Sequence, residues 1–160
     1  MTESPLAKNH YSLYIPVDYI RQPGECACVP AVVAMLLRHS GRDATPASVI
    51  AGLKKFDPEI GTYTEDIEEF FIRWRIPSSF TSGLLLQDVV RVLEQRIPVG
   101  AVIANFEDEY PHIVLLTGYE GKELLLNDPY NEEKKRVPFD EFQRRWKLME
   151  NLTLYLPPQK

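Results

Sequence analysis

Residues 22–41 read QPGECACVPAVVAMLLRHSG, and the way this stretch folds decides how the rest of the chain is arranged. Pro23 and Gly24 mark a loop, Pro30 suits a first helical turn where its missing N–H costs nothing, and Ala31 to Leu37 follow without a polar residue. A helix that is apolar on every side belongs inside a domain. His39 and Ser40 restore polarity, and Gly41 can take the left-handed conformation that ends a helix. Cys28 therefore falls at the helix N-terminus, where free backbone N–H groups and the positive end of the dipole favour a thiolate over a thiol. Position alone leaves two readings open, because a free cysteine also serves as a small buried hydrophobe.

The composition narrows the setting. A chain of 160 residues fits a single domain over residues 1–160, with a proper core and no need of staples. No apolar run approaches the roughly 18 to 20 residues that cross a bilayer, so a soluble chain without membrane insertion is expected. The opening, MTESPLAKNHYSLYIP, has neither the basic start nor the apolar core of a signal peptide. Two cysteines separated only by Ala27 are badly placed to bridge each other, which points to a reducing, cytoplasmic compartment. They supply half a metal site at most, and no second Cys or His pair stands at ligand spacing, so neither metal nor cofactor is expected. A net charge of -5 without a basic, aromatic-laced cluster argues against nucleic acid.

Along the chain, residues 1–10 read as a flexible tail and Tyr11 to Ile15 as a short strand. Thr45 and Pro46 open a helix to about Lys54. Thr62 and Glu65 fit a capping box, after which Ile67, Phe70, Phe71 and Trp74 recur at helical spacing, with Phe71 and Trp74 assigned to the core. Leu84 to Gln95 is a further helix, whose apolar face is Leu85, Val89, Val92 and Leu93. After Pro98 the period changes. Val99 to Ala104, His112 to Tyr119, Glu123 to Asn127 and Arg136 to Val137 are short runs rich in Val, Ile and Leu, separated by turn signals. They predict a mainly antiparallel sheet. A helix over Phe139 to Trp146 and a strand over Leu152 to Leu156 complete the chain. Helices first and sheet second is an α+β pattern, in which the buried central helix packs against the sheet and a cleft opens between the two parts.

A nucleophilic cysteine needs a base to handle its proton and a third group to orient that base. The chain has three histidines. His10 lies in the tail, and His39 lies at the far end of the central helix, some 16 Å from Cys28 at 1.5 Å per residue. His112 opens the strongest strand. The next strand ends in Asn127-Asp128-Pro129, and a hairpin returns that end to His112, so Asp128 can accept a hydrogen bond from the imidazole.

With these residues in place the chain resembles the papain-like cysteine peptidases, and within them the bacteriocin-processing, double-glycine leader peptidase family and its free-standing relatives. The likeness is carried by Gln22 six positions before Cys28, by the Cys-x-Pro-Ala opening of the helix, and by the later Pro-His-Ile-Val, Gly-Tyr and Asn-Asp-Pro signatures. It runs from about Ile15 to Trp146. The resemblance implies Cys28 as nucleophile, His112 as general base, Asp128 as its orienting partner and Gln22 as a side-chain donor to the oxyanion. A neutral amide N–H beside the backbone N–H of Cys28 suits that last role. It also implies a peptide or protein substrate, leader peptides included. The best-known relatives are fused to membrane exporters, so a chain without such segments is expected to act with a separate transporter or on another substrate. Val29 stands where the family commonly has glycine, and Cys26 is an extra thiol.

Three functions fit this set of residues. One is peptide-bond hydrolysis through a Cys28 acyl-enzyme. A second keeps the fold as a peptide-binding or interaction module without turnover, for which Val29 is the argument. A third is an amidase or acyltransferase using the same groups. Peptide hydrolysis leads, because a binding module has no need of Gln22, Cys28, His112 and Asp128 together.

Overall fold

The structure, a computed structural model, describes residues 11–158. The expected N-terminal tail, with His10, lies outside the described residues. The elements run in the order β1 (Ser12–Tyr14), α1 (Cys28–His39), α2 (Pro46–Gly52), α3 (Thr64–Arg73), β2 (Ser79–Thr81), α4 (Leu86–Glu94), β3 (Val99–Ala104), β4 (Pro111–Glu120), β5 (Glu123–Asp128), β6 (Glu132–Pro138), α5 (Phe139–Lys147) and β7 (Thr153–Tyr155). This is the expected α+β arrangement. The sheet order is β2-β7-β3-β4-β5-β6, every pairing is antiparallel, and β1 adds to the far end of β4.

The central helix forms as its sequence demands. Val29 to Leu37 are all buried, and α1 lies in one hydrophobic cluster with Ile113 to Leu116 of β4 and with Ala101 and Ile103 of β3. Its end is closed by two backbone bonds, Gly41 N–H to Arg38 O at 3.0 Å and Arg42 N–H to Leu37 O at 2.9 Å, with Gly41 at φ +93°. That geometry needs the left-handed conformation glycine provides. At the other end Ala27 is the N-cap and offers no side-chain cap, so the first N–H groups of α1 remain available. Gly118 is where β1 crosses β4. A side chain there would collide with the Leu13 carbonyl, so only glycine lets the arm that leads to α1 lie against the sheet.

Thr45 caps α2 as expected and forms a full capping box with Ser48. Three local expectations fail. Thr62 and Glu65 do not form a capping box, because α3 starts at Thr64 with Tyr63 as its N-cap. Glu65 then sits one position short of the box, and the Thr62 hydroxyl is buried without a partner. Trp74 is 57% exposed rather than core. It stands at the C-cap of α3, beyond the last turn that faces inward, and its ring edge leans over Gly52 and Phe70. Leu85 is 56% exposed because it is the N-cap of α4, its N–H held by the Asp88 carboxylate at 2.9 Å. The inward face is instead Leu86, Val89, Val90 and Leu93.

One strand is longer than expected, and one was not expected. The strand expected over Arg136 to Val137 is β6, which begins at Glu132. Its run of charged residues hides it from an apolar-pattern reading, yet charge is the usual protection for a sheet edge, and β6 is one. The three residues of β2 carry no pattern long enough to read and are held by pairing with β7.

Candidate functional site

The site forms where the start of α1 meets β4 and the end of β5. Cys28 is the first residue of α1 and is only partly buried. His112 is the second residue of β4 and pairs with Ile103 of β3, which holds its backbone inside the sheet, between β3 and β5. β5 runs back antiparallel to β4, with Leu115 opposite Asn127, so Asp128 arrives beside His112. The His112 Nε2 donates to Asp128 Oδ1 at 2.7 Å, and both side chains are buried. Since Nε2 is committed to Asp128, Nδ1 is the nitrogen left for the Cys28 sulfur, and each of the two groups shifts the titration of the other. The structure thus brings together three of the four candidate residues in a line: Cys28, His112, Asp128.

The loop before α1 is tied to the same place from the other side. Gln22 N–H donates to Pro129 O at 2.7 Å, and the Tyr19 hydroxyl donates to Asp128 O at 2.6 Å. The sequence reading missed Tyr19, whose role depends on a contact 109 residues away that no local pattern announces. It missed Asn127 as well. That side chain is fully buried, with Oδ1 accepting the Lys134 N–H at 3.1 Å and Nδ2 directed at Met35 Sδ, so it fixes the turn that follows Asp128.

Gln22 lies in this neighbourhood and is buried, but its amide is occupied. Nε2 donates to Gly24 O at 2.8 Å and to Glu25 O at 3.0 Å, and Oε1 is buried without a partner. In this state both of its N–H groups hold the loop. Val29, in the position where the family commonly has glycine, has its side chain in the hydrophobic core. His39 is remote, its Nε2 facing Arg96 O at 3.2 Å. Cys26 donates to Glu59 O at 3.3 Å in the loop.

Charge is redistributed along the line of three. Burial pushes the Cys28 thiol up, but the hydrogen bond with His112, the charge of that ring and the backbone N–H groups of Ile113 and Val29 together hold it below its usual range. Burial would lower the His112 imidazole. The hydrogen bonds to Asp128 and Cys28, with the charges of both, instead raise it to about 9. Burial pushes the Asp128 carboxyl up, while the hydrogen bond from His112, its charge, the Tyr130 N–H and the charge of Lys135 keep it below the ordinary carboxylate range. The three shifts run one way: they move the proton from sulfur towards the ring and keep the carboxylate charged beside it. Such a row can attack a carbonyl carbon and then deliver a proton to the group that leaves.

The model of the Peptidase_C39 like family matches residues 14–154. A comparison with curated proteins gives no match. Among solved structures, the chain is similar to a Bacillus anthracis protein described as a C39-like peptidase, with a TM-score of 0.76 at 15% identity, covering 94% of this chain and 100% of that one. It is also similar to the peptidase domain of Streptococcus ComA, a bi-functional ABC transporter involved in a quorum sensing pathway. There the TM-score is 0.67 at 20% identity, covering 91% of this chain and 100% of that one. A third similar structure is a double glycine motif protease from an AMS/PCAT transporter in complex with its leader peptide, with a TM-score of 0.65 at 18% identity and coverage of 91% and 94%. At these identities the likeness is one of fold.

Proposed function

The chain belongs to the Peptidase_C39 like family, and from that premise we propose that it is a cysteine peptidase in which Cys28 is the nucleophile, His112 the proton carrier and Asp128 its orienting partner. The observation that carries this reading is the buried 2.7 Å bond from His112 Nε2 to Asp128, which leaves Nδ1 for Cys28 at a bare helix N-terminus.

In this mechanism the proton already rests on the ring. The Cys28 thiolate attacks the scissile carbonyl carbon, an S–C bond forms, and the carbonyl oxygen becomes an oxyanion. The backbone N–H of Cys28, free of any helical acceptor, is the first donor to that oxygen. Gln22 supplies the second by releasing one of its two carbonyl partners, Gly24 or Glu25, to the incoming oxyanion. Collapse breaks the C–N bond, and His112 Nδ1–H protonates the departing amine. The ring, now neutral, takes a proton from water as that water attacks the thioester. His112 is thus acid first and base second.

The substrate in this reading is a peptide, processed at a leader boundary, and the partner a separate exporter. Support comes from the family and from the fold shared with a double glycine motif protease bound to its leader peptide. Among the described residues no helix is long and apolar enough to cross a membrane. Two free thiols suit a reducing compartment, so the cytoplasm is the proposed location. The burial of Val29 in the core favours turnover over an interaction module, for which a branched residue beside Cys28 was the argument. The test is incubation of the protein with peptides that contain an internal double glycine, read by mass spectrometry. Cleavage by the unaltered protein and none by Cys28→Ala supports the reading; intact peptides in both, across the set, would overturn leader processing. Ammonia release or acyl transfer in place of a cut backbone would assign the same groups to an amidase or acyltransferase.

A further inference from the structure

The β3–β4 connection, residues 105–110, leads directly into Pro111 and His112, and it is held by more than a loop of its length needs. Inside the loop, Asn105 N–H donates to Tyr110 O at 2.9 Å, Glu109 N–H to Asn105 O at 3.1 Å, Phe106 N–H to Asn105 Oδ1 at 2.8 Å and Tyr110 N–H to Asp108 Oδ1 at 3.0 Å. From outside, Arg145 of α5 reaches in. Its Nη1 donates to Ala104 O at 3.2 Å and Asn105 O at 2.8 Å, while its Nε donates to Glu141 Oε1 at 3.2 Å. Arg145 is the one buried cation among the Lys and Arg side chains of the described residues. A charge is removed from water only where fixed partners replace the water, and here they are the carbonyls that end β3.

Those carbonyls are next to the site. The last two pairs of the β3–β4 ladder are Ala104 with Pro111 and Ile103 with His112, so Arg145 clamps the strand end opposite the residue that carries the imidazole. The same guanidinium stacks on the Phe106 ring, Cζ 4.9 Å from its centre, and Lys135 Nζ of β6 stands 4.0 Å from that centre. One aromatic ring thus gathers two cations from two different elements. Lys135 also reaches the strand that carries the carboxylate, since it pairs with Leu126 of β5, two residues before Asp128.

We propose that Arg145, Phe106 and Lys135 form a latch that fixes the β3–β4 loop against α5 and β6, and that Lys135 is a positioning residue that holds His112 and Asp128 in mutual register. The inference rests on the peptidase reading, because it concerns how well Cys28, His112 and Asp128 stay aligned. Neither Phe106 nor Lys135 touches the reacting atoms. Their effect is on alignment, where a displacement of about 1 Å can cost up to roughly a hundredfold in rate.

The test uses the whole chain with three variants: Phe106→Leu, which keeps an apolar side chain and loses the π-face, Lys135→Met, which keeps the stem and loses the charge, and Lys135→Arg, which keeps a cation over the ring. Three quantities are read: amide hydrogen exchange of residues 105–112, the ratio of Cys28 to Cys26 alkylation by iodoacetamide at about pH 6, and thermal unfolding. Faster exchange together with a roughly tenfold fall in the ratio for Phe106→Leu and Lys135→Met, at an unfolding midpoint near that of the unaltered protein, with most of the ratio restored in Lys135→Arg, is the expected result. If exchange quickens and the ratio stays put, or if neither moves, the latch has no part in aligning the site and the inference falls while the peptidase reading stands. If the unaltered protein itself shows no preference for Cys28, the peptidase reading fails and takes the latch's catalytic role with it.

Discussion

Cys26 and Cys28 are separated by a single alanine and share almost nothing else. The Cys26 thiol sits in the loop, donates to the Glu59 carbonyl, and has its own carbonyl packed against Gly61, where a side chain would come within 3.0 Å. The Cys28 thiol sits on the first residue of α1, faces the backbone N–H groups of Val29 and Ile113, and is held below its usual range by an imidazole that a buried carboxylate orients. Thiol chemistry is the same in both. What differs is that one lies where a helix begins against a strand and the other lies one turn of loop too early. Ala27, buried and acting as N-cap, is the hinge between the two environments.

The comparison breaks most decisively at turnover. Cys28→Ala should reduce peptide cleavage by roughly 10⁴-fold or more, the scale at which loss of a nucleophile shows. Cys26→Ser should leave it within about twofold, as expected for a polar swap at a loop position. Rates measured on one peptide with both variants suffice, and an equal loss in the two would mean that the wrong sulfur has been assigned.

Asp128 comes next in size. Its Oδ1 accepts from both His112 and the Tyr130 N–H, so it orients the ring and also shapes the turn after β5. Asp128→Asn keeps an oxygen for both donors and loses the charge. It should lower turnover by roughly ten- to a hundredfold, the usual cost of disturbing an outer partner that fixes a ring, with little change in the unfolding midpoint. Asp128→Ala should add a stability loss of about 1 kcal/mol for the unsatisfied turn. Equal turnover in Asp128→Asn and the unaltered protein would reduce Asp128 to a turn residue.

Reactivity sharpens the comparison without any substrate. At about pH 6 a small alkylating reagent should modify Cys28 faster than Cys26 by roughly tenfold or more, and His112→Ala should erase most of that preference, as read by mass mapping. The same ion pair predicts a stability signature. His112 is raised to about 9, so its contribution is complete below about pH 6.5 and is lost as pH rises through 9. Cys28 is depressed, so its contribution is complete above the usual thiol value of 9.0 and is lost as pH falls through its folded value. Between about pH 6.5 and 9 one grows as the other fades, because the proton has only moved from sulfur to ring. Stability of the unaltered protein should be nearly flat there. Cys28→Ala removes the sulfur's share in raising the ring and leaves only the part due to Asp128, so its urea midpoint should decline with rising pH, from a smaller upward shift than in the unaltered protein. A flat profile in Cys28→Ala would show that Asp128 alone does not keep a proton on the ring.

The central helix, the strands β3, β4, β5 and β7, and the pairing that sets Asp128 beside His112 were legible in the sequence, and for one reason. Each rests on a local pattern, either an unbroken apolar run or a hairpin whose arithmetic returns Asp128 to His112. What could not be read depends on one-residue offsets or distant contacts. Moving the start of α4 from Leu84 to Leu86 puts Leu85 outside the helix and rotates the buried face. Moving α3 by one residue dissolves the box expected from Thr62 and Glu65. Trp74 looked apolar enough to be core, yet a C-cap has already left the inward face. Gln22 was recognisable as a residue type near Cys28, but which way its amide faces is settled by two loop carbonyls that no pattern encodes.

Val29 gives the smallest expected effect on the site. A branched residue beside the nucleophile looks like an obstacle if α1 is imagined with that position facing the cleft. In the structure its side chain is in the core cluster with Ala34 and Leu36, and only its N–H faces the Cys28 sulfur. Replacing the side chain therefore changes packing and leaves the N–H where it is. Val29→Ala removes two buried methyl groups at the end of the helix, which should cost about 1–2 kcal/mol, discounted for the better helix propensity of alanine. Peptide cleavage and the Cys28 to Cys26 alkylation ratio should both stay within about twofold at a temperature where the variant is folded, since a surviving backbone donor is all the thiolate takes from this residue. A several-fold gain in cleavage, with the stability loss absent, would instead place the Val29 side chain in the path of the substrate and restore the case for a site that has been closed to turnover.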